Sequence, residues 1–309
     1  MVNCTGYGNS TRMQSYYGCS LPEGLVVFLA TLNIFLSITT SLGNALILIA
    51  LRKVSSVHPP TKLLFRCLAV TDLCVGLITQ PLHVTYLMIP ITKVDLGNLF
   101  YVDAVMNASG FLLCGVSICT ATALSVDRLL ALLLGLRYRH VVTLKRVFVL
   151  IILFWVSSVS FVFMYIFWNY DVTLFEAAIL SVPCIVISMC SYAKIFLALR
   201  KNQAQVREGH QRQPNRGGIP FNIARYKKTV SSIAWVQLAL AVCYVPFIIC
   251  VITIRISGWS GLSADVVWEC AFTLLYLNSS LNPVLYCWRI QEIRQKTKGT
   301  IRQLCCSSC

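Results

Sequence analysis

The sequence predicts an all-α membrane protein: a seven-transmembrane helix bundle with a short amphipathic helix after the seventh span. Of its 309 residues, 57% are hydrophobic and only 12% are charged, whereas an ordinary soluble domain carries about 25% charged residues. Several separate apolar runs each approach the roughly 20 residues that cross a bilayer core. These observations exclude a pair of soluble domains of the same total length.

Seven apolar runs form the predicted bundle, which occupies residues 24–287. The third run has no Asp, Glu, Lys, Arg or His from Ala104 through Val126, and it stops at the adjacent pair Asp127 and Arg128. The predicted spans are Gly24–Leu51, Lys62–Ile89, Leu99–Leu132, Val147–Trp168, Val172–Leu199, Lys228–Ile254 and Ala264–Cys287.

The basic residues predict the orientation of the bundle. If the N-terminus is outside, all but three (Arg12, Lys93 and Arg255) of the 26 Lys and Arg residues lie on the inner side. The positive-inside rule therefore predicts a multi-pass plasma-membrane protein with residues 1–23 extracellular and residues 288–309 cytoplasmic. The net charge of +15 then reflects topology and attraction to anionic membrane lipid, and nucleic-acid binding is not needed to explain it.

The two termini carry candidate modification sites. Asn3 and Asn9 each begin a glycosylation sequon on the predicted outer side. On the inner side, Trp288–Leu304 alternates apolar and basic residues as an amphipathic surface helix would. The cysteines that follow it, Cys305, Cys306 and Cys309, are candidates for palmitoylation. A disulfide between Cys4 or Cys19 and Cys270 is an open alternative to free thiols.

Polar residues at mid-membrane depth are functional candidates, because an isolated charge there costs several kcal/mol. Asp72 lies in the middle of the second span, with Asn44, Ser117, Asn278 and Asn282 at similar depth in three others. A carboxylate among hydroxyl and amide oxygens suits a small cation such as sodium. An interhelical hydrogen-bond network without an ion is the alternative. No other cofactor, no zinc-like Cys/His spacing and no catalytic arrangement is predicted.

Acidic residues outnumber basic ones near the outer ends of the spans, which predicts a cationic ligand such as an amine or a basic peptide. The acidic residues are Asp103, Glu176, Asp265 and Glu269, and the basic ones are His83, Lys93 and Arg255. In the alternative, Arg255 pairs with Asp265 or Glu269, His83 bonds to Glu176, and the ligand is uncharged. Pro246 and Pro283 are expected to kink the sixth and seventh spans at pivots for opening the inner end.

With these residues in place, the chain resembles the rhodopsin-like (class A) G-protein-coupled receptors over about residues 24–304. Each motif alone is weak, but all occur in order at the right depths. They are Gly43-Asn44, Leu68-Ala69-Val70-Thr71-Asp72, Asp127-Arg128-Leu129, Trp155, Tyr192, Cys243-Tyr244-Val245-Pro246 and Asn282-Pro283-Val284-Leu285-Tyr286.

The resemblance implies roles at the inner end. Asp127 would hold Arg128 at rest and release it to a heterotrimeric G protein, with arrestin as a further partner. Tyr192 and Tyr286 would then turn toward Arg128, and Leu136 would enter the G-protein interface. The implied activation switch also includes Pro246, Asn282 and Pro283.

The resemblance also implies two sites within the bundle. The implied sodium pocket consists of Asp72, Ser117, Asn278 and Asn282. Tyr244 stands where the family usually has a switch tryptophan at the floor of the ligand pocket. The predicted ligand-binding residues are His83, Asp103, Asn107, Gly110, Glu176, Tyr244, Phe247 and Glu269.

The departures from the family pattern indicate a divergent member. Asp103 occupies the position of the usual cysteine at the outer end of span three, and the second outer loop is very short. These features resemble the melanocortin, adenosine, cannabinoid and lysophospholipid receptor group. However, Asn107 and Leu82 stand where melanocortin receptors have two further acidic residues, and Gly110 stands where amine receptors have Asp.

A transporter or channel that uses Asp72 and Glu176 as an ion or proton path is the alternative function. The single copy of each motif and the Asp127–Arg128 pair at an inner helix end count against it. An intramembrane hydrolase is weaker still, because no Ser-His or paired-Asp arrangement recurs at one depth.

Overall fold

A computed structural model describes residues 21–55, 57–92, 96–168, 170–212, 223–289, 294–297 and 299. This part of the chain is helical throughout apart from short connections, and the predicted all-α bundle is confirmed. Its seven long helical segments are called spans one to seven. They are Glu23–Lys53; Pro59–Cys74 with the π-helical turn Val75–Thr79 and Gln80–Thr92; Leu96–Leu134; Leu144–Phe167; Tyr170–Arg212; Ile223–Ser257; and Leu262–Arg289.

Six of the spans contain an 18-residue stretch apolar enough to cross a membrane, with mean hydropathy between 1.6 and 2.6. Span seven is more polar because it carries Asp265, Glu269, Asn278 and Asn282. Glu269, Asn278 and Asn282 are buried. Its polar side chains therefore face the interior of the bundle, where other side chains can satisfy them.

The spans form a closed ring around span three. Span one packs against spans two and seven, span seven against span six, and span six against span five. Span three contacts spans two, four and five. Span four lies at the outside, since only Val147, Ile151 and Ser158 of its residues are buried. Side chains of span three are therefore well placed to take part in sites inside the bundle.

Several predicted features lie outside the described residues. They are Asn3, Asn9, Cys4 and Cys19 in the N-terminal segment, and Cys305, Cys306 and Cys309 in the C-terminal tail. Of the predicted surface helix Trp288–Leu304, only residues 288, 289, 294–297 and 299 are described, and they are helical. The backbone of Tyr286 is described as helical, but its side chain is not.

A proline and a π-helical turn interrupt the backbone hydrogen bonds of span two, and span one supplies a replacement donor. Pro81 has no N–H, so in the π register the carbonyl oxygen of Gly76, five residues earlier, loses its donor. The Ser37 hydroxyl of span one donates to that oxygen at 2.6 Å. A backbone acceptor that would otherwise be unsatisfied in the membrane is thereby bonded.

Span one also supplies a replacement hydrogen-bond donor to span seven. Pro283 removes the donor for the carbonyl oxygen of Ser279, four residues earlier. Asn44 Nδ2 donates to that oxygen at 3.1 Å. The two helices can approach this closely because Gly43 lacks a side chain: a Cβ there would lie 2.9 Å from Pro283 Cγ. The Gly43-Asn44 motif is therefore the complement of the Asn282-Pro283 motif.

Gly76 allows the first contact, and replacing it should destabilise the bundle. An added Cβ would lie 2.6 Å from Ser41 Oγ and 3.1 Å from the Ser41 backbone nitrogen, so Gly76→Ala should cost about 1–3 kcal/mol through overpacking. The measurement is the melting temperature of the purified protein in detergent. Gly110→Ala is the matched control, because a Cβ at Gly110 meets nothing within 4 Å. Equal melting temperatures for the two variants would contradict this account of packing.

Candidate functional site

Asp72 is the centre of a buried polar cluster that joins spans two, three and seven. Its Oδ1 accepts hydrogen bonds from Ser279 Oγ at 2.8 Å and from Ser117 Oγ at 3.2 Å. Its Oδ2 accepts from Asn282 Nδ2 at 2.7 Å. The carboxylate is completely buried. Three donors on two other helices therefore offset the loss of water around it.

The cluster differs from the predicted set by one residue. Ser117 and Asn282 contact Asp72 as expected, but the third donor is Ser279, whereas Asn278 was predicted. Asn278 is buried one position away, and the described hydrogen bonds do not connect it to Asp72. Asn44, predicted at the same depth, is linked to the cluster indirectly, because its side-chain amide donates to the backbone carbonyl oxygen of Ser279. The motif spacing gave the depth of these residues but did not distinguish neighbouring positions on span seven.

The donor set is compatible with a small hard cation. Oxygen atoms of one carboxylate and two hydroxyls converge at Asp72, and these are ligands that hard cations take in proteins. Asn44 also has a buried Oδ1 with no donor among the described residues. A buried acceptor of this kind calls for a cation or a water molecule. Asp72, Ser117 and Ser279 are therefore the residues that converge on a place for such an ion.

A second cluster lies at the inner end of span three, around Asp127. Tyr138 Oη donates to Asp127 Oδ1 at 2.5 Å, and Thr61 Oγ1 donates to Oδ2 at 2.9 Å. Tyr138 belongs to the short helix Tyr138–Val141 that follows span three. Asp127 is 4% exposed. Thr61 and Tyr138 were not predicted as its partners.

Arg128 is held more loosely than Asp127. Its Nη2 lies 3.4 Å from Asp127 Oδ2, and its guanidinium carbon lies 5.8 Å from the centre of the Phe65 ring. Its Nε has no hydrogen-bond partner among the described residues. The side chain is 29% exposed, against 3% for that of Asp127. Arg128 can therefore leave without depriving Asp127 of its two hydroxyl donors.

The other residues predicted for the inner switch lie in the segment after span three and in spans five, six and seven. Leu136 is 96% exposed just beyond span three. Tyr192 of span five packs with Leu129, Leu132 and Ile195. Pro246 and Pro283 lie inside the helices of spans six and seven.

The outer half of the bundle contains a cavity of about 150 Å³ lined by residues from spans three to seven. The cavity walls are mainly apolar, and none of the described lining residues is Asp, Glu, Lys, Arg or His. The polar groups that line it include Asn107, Ser158, Ser181 and Tyr244. A cavity with this lining accommodates an uncharged, largely apolar molecule that makes a few hydrogen bonds.

Half of the predicted ligand-binding residues line this cavity. They are Asn107, Gly110, Tyr244 and Phe247. His83, Asp103, Glu176 and Glu269 are not among the described lining residues. Residues of the wall that the sequence did not indicate include Phe111, Phe161, Phe272 and Leu275. Such apolar positions carry no distinguishing signal in a membrane sequence.

Three of the outer acidic residues either contact another side chain or are exposed on the surface of the bundle. Glu269 Oε2 lies 3.3 Å from His83 Nε2, and the side chains of both are almost fully buried. Asp103 accepts a hydrogen bond from Asn107 Nδ2 at 3.0 Å. Glu176 is exposed on span five.

Two sequence hypotheses therefore need correction. The suggestion that His83 bonds to Glu176 is wrong, because the carboxylate beside His83 belongs to Glu269. The expectation that the outer carboxylates line one cavity is the second, because the described cavity has no charged lining residue. A cationic ligand itself stays a prediction.

The comparison with protein families agrees with this arrangement. The model of the family described as "7 transmembrane receptor (rhodopsin family)" matches residues 43–173 and 166–286. Together these matches run from Gly43 to Tyr286 and include the Asp72 cluster, the Asp127 cluster and the outer cavity.

Proposed function

The chain belongs to the rhodopsin family of seven-transmembrane receptors, and we propose that it binds an extracellular ligand and activates a heterotrimeric G protein. The observation that carries this proposal is that Asp127 has more binding partners, and is more deeply buried, than Arg128. Asp127 keeps two neutral donors whether or not Arg128 stays beside it. Arg128 is partly exposed at the inner end, with one ionic contact at 3.4 Å.

Activation in this proposal is a shift between two arrangements of the inner ends. In the resting arrangement, Arg128 lies beside Asp127 and over Phe65. In the active arrangement, it leaves Asp127, meets the G protein and is approached by Tyr192 and Tyr286. The exposed Leu136 contributes an apolar contact to the same surface. Arrestin would use the same opened surface.

The ligand in this proposal is uncharged and largely apolar, because no charged residue lines the described cavity. Tyr244 supports the idea that ligand binding reaches the rest of the bundle. It lines the cavity together with Ile118 and Leu275, and the same apolar cluster extends to Leu240, which is not among the described lining residues. Movement of Tyr244 therefore displaces contacts on spans three and seven together.

We further propose that Asp72 and its oxygen neighbours bind sodium and that the ion favours the resting arrangement. Asp72 would hold the ion, with Ser117 and Ser279 as neutral oxygen ligands. A cation there supplies positive charge to a carboxylate that is completely buried.

A transporter path through Asp72 and Glu176 receives no comparable support. The described contacts of Asp72 are to spans three and seven, whereas Glu176 is exposed on span five. No cavity among the described pockets joins these two residues.

The remaining features of the proposal concern the membrane setting. We propose a plasma-membrane protein with an outer N-terminus, glycosylation at Asn3 and Asn9, and palmitoylation at Cys305, Cys306 and Cys309. Within the family, the melanocortin, adenosine, cannabinoid and lysophospholipid group is the proposed neighbourhood. The short connection between Phe167 and Tyr170 and the presence of Asp103 support this placement.

Arg128→Ala should abolish ligand-dependent nucleotide exchange on a G protein reconstituted with the receptor in vesicles. Removing the cation eliminates charge-assisted contacts, each worth about 1.5–3 kcal/mol, in the complex. We therefore expect a loss of exchange of roughly tenfold or more. Arg52→Ala, at the inner end of span one, is the control for removing one inner basic residue. Full exchange by Arg128→Ala would exclude the receptor mechanism proposed here.

Gly110→Leu should block ligand binding, whereas Glu176→Gln should leave it unchanged. The space beside Gly110 is open, so a leucine side chain would occupy part of the cavity. We expect affinity to fall about tenfold or more, which is 1.4 kcal/mol. The measurement is a binding isotherm for a ligand found by screening lipids, amines and basic peptides. A cationic ligand that loses affinity with Glu176→Gln but not with Gly110→Leu would refute the uncharged-ligand proposal.

Asp72→Asn should remove the sodium dependence of ligand affinity. The substitution keeps the shape of the side chain but deletes the charge that holds the cation. Agonist affinity is measured in sodium chloride and in choline chloride at equal ionic strength, with the wild-type protein as reference. An unchanged sodium response in Asp72→Asn would remove the ion from the proposal and leave a hydrogen-bonded cluster.

A further inference from the structure

A second concave surface lies at the inner ends of spans two and four, away from both polar clusters and the outer cavity. It is an open groove of about 630 Å³. We call it the inner groove and define it by Lys62, Leu63, Arg66, Leu144, Lys145 and Phe148. On span two, the residues 62, 63 and 66 recur at helical spacing and so share one face. The groove is therefore built from two regular helix surfaces.

The inner groove combines three cations with no opposing charge. None of its described lining residues is acidic. Arg66 and Lys145 are exposed. The Nζ atom of Lys62 donates to the carbonyl oxygen of Val54 at 2.5 Å, which fixes the ammonium beside the end of span one and leaves two of its N–H groups for another acceptor.

Arg66 is an exposed cation within the first turns of span two. It comes seven residues after Pro59, the first residue of the helix, which is about 10 Å along the axis. In the proposed orientation, an exposed arginine this close to the inner end of a span lies near the boundary between headgroups and acyl chains. Its charge is costly there unless the guanidinium reaches an anion at the interface.

The start of span four adds a second reason to expect an anion. Its first turn carries Lys145 and Arg146 and no acidic residue. The N-terminus of a helix has partial positive charge, so basic residues at that end are unfavourable unless a negative group is nearby. An anion between span four and Arg66 would lower this repulsion and bond to both sides.

Apolar side chains flank Lys145 on both sides along span four: Leu144 precedes it at the end of the helix, and Phe148 follows about one turn farther into the span. Leu144 and Phe148 are 52% and 57% exposed on the same helix as Lys145. A soluble phosphate would make no use of these side chains. A lipid, in contrast, places its phosphate among the cations and its acyl chain along Phe148.

We propose that the inner groove binds an anionic phospholipid of the inner leaflet, with the headgroup phosphate held by Lys62, Arg66 and Lys145. Basic pockets between membrane helices on the cytoplasmic side are suited to such headgroups. The bound lipid would add a link between spans two and four, which also pack together in the cluster that contains Phe65 and Val147. The inference rests on the proposed orientation of the bundle but not on the ligand cavity or the coupling to G protein.

The test uses the full-length receptor in mixed micelles with phosphatidylinositol 4-phosphate as the probe and native mass spectrometry as the measurement. Each cation near the membrane surface contributes about one kcal/mol to such binding. The double variant Arg66→Gln/Lys145→Gln should therefore bind the lipid roughly tenfold to thirtyfold more weakly. Arg66→Lys/Lys145→Arg keeps both charges and should retain binding within about threefold.

The matched control is Arg200→Gln/Lys201→Gln, which removes two exposed cations from the inner part of span five. An equal loss in this control would show attraction to surface charge in general and would overturn the proposal. An unchanged affinity in Arg66→Gln/Lys145→Gln would overturn it as well. Should the double variant melt too early to measure, the single change Lys145→Gln at an exposed position should still lower affinity about fivefold.

The source of the phosphate is tested with the soluble headgroup, inositol 1,4-bisphosphate, and with Phe148→Ser. For a lipid site, the soluble headgroup should compete at least tenfold more weakly than the intact lipid, and Phe148→Ser should weaken the lipid alone. Equal binding of lipid and headgroup, with no effect of Phe148→Ser, would mean a free-phosphate site and would refute the proposal.

Discussion

The bundle depends on satisfying backbone groups where prolines interrupt its helices. Inside a membrane no water replaces a lost donor, so each freed carbonyl needs a partner on another helix. For Pro81 and Pro283, span one supplies the replacement donor: Ser37 donates to the carbonyl oxygen of Gly76, and Asn44 donates to that of Ser279. Span one is thus tied to spans two and seven at the places where those helices depart from regular geometry.

The Asp72 cluster is built on the second of these repairs. Ser279 offers its carbonyl oxygen to Asn44 and its hydroxyl to Asp72. A change in the bend at Pro283 moves both groups together, because they belong to one residue. The cluster is therefore sensitive to the angle of span seven, whereas the apolar contacts around it tolerate small shifts. Through this coupling, the ion proposed at Asp72 would favour one arrangement of the inner ends.

Hydropathy and motif order were sufficient to predict the helical bundle, and they brought Asp72, Ser117 and Asn282 into one expected cluster. They could not predict which way a residue faces. Adjacent helical residues point about 100° apart, and this explains why Asn278 was predicted where Ser279 makes the contact. In span two, the π turn inserts a residue and rotates everything beyond it, so the partner of His83 could not be derived from spacing. Thr61 and Tyr138 were missed because their link to Asp127 crosses between chain segments.

The distribution of charge follows from the cost of desolvation. Among the described residues, the buried carboxylates of Asp72, Asp103 and Asp127 accept hydrogen bonds from other side chains, and that of Glu269 lies beside His83. The described lining of the outer cavity has none of these groups, so in the proposed receptor shape and a few neutral hydrogen bonds would select the ligand. Arg128 is the exception among the clustered ions because it keeps partial access to water. When Arg128 leaves Asp127, it does not become an unpaired cation cut off from water. An ion pair of this kind can therefore separate at a lower energetic cost than a fully buried pair.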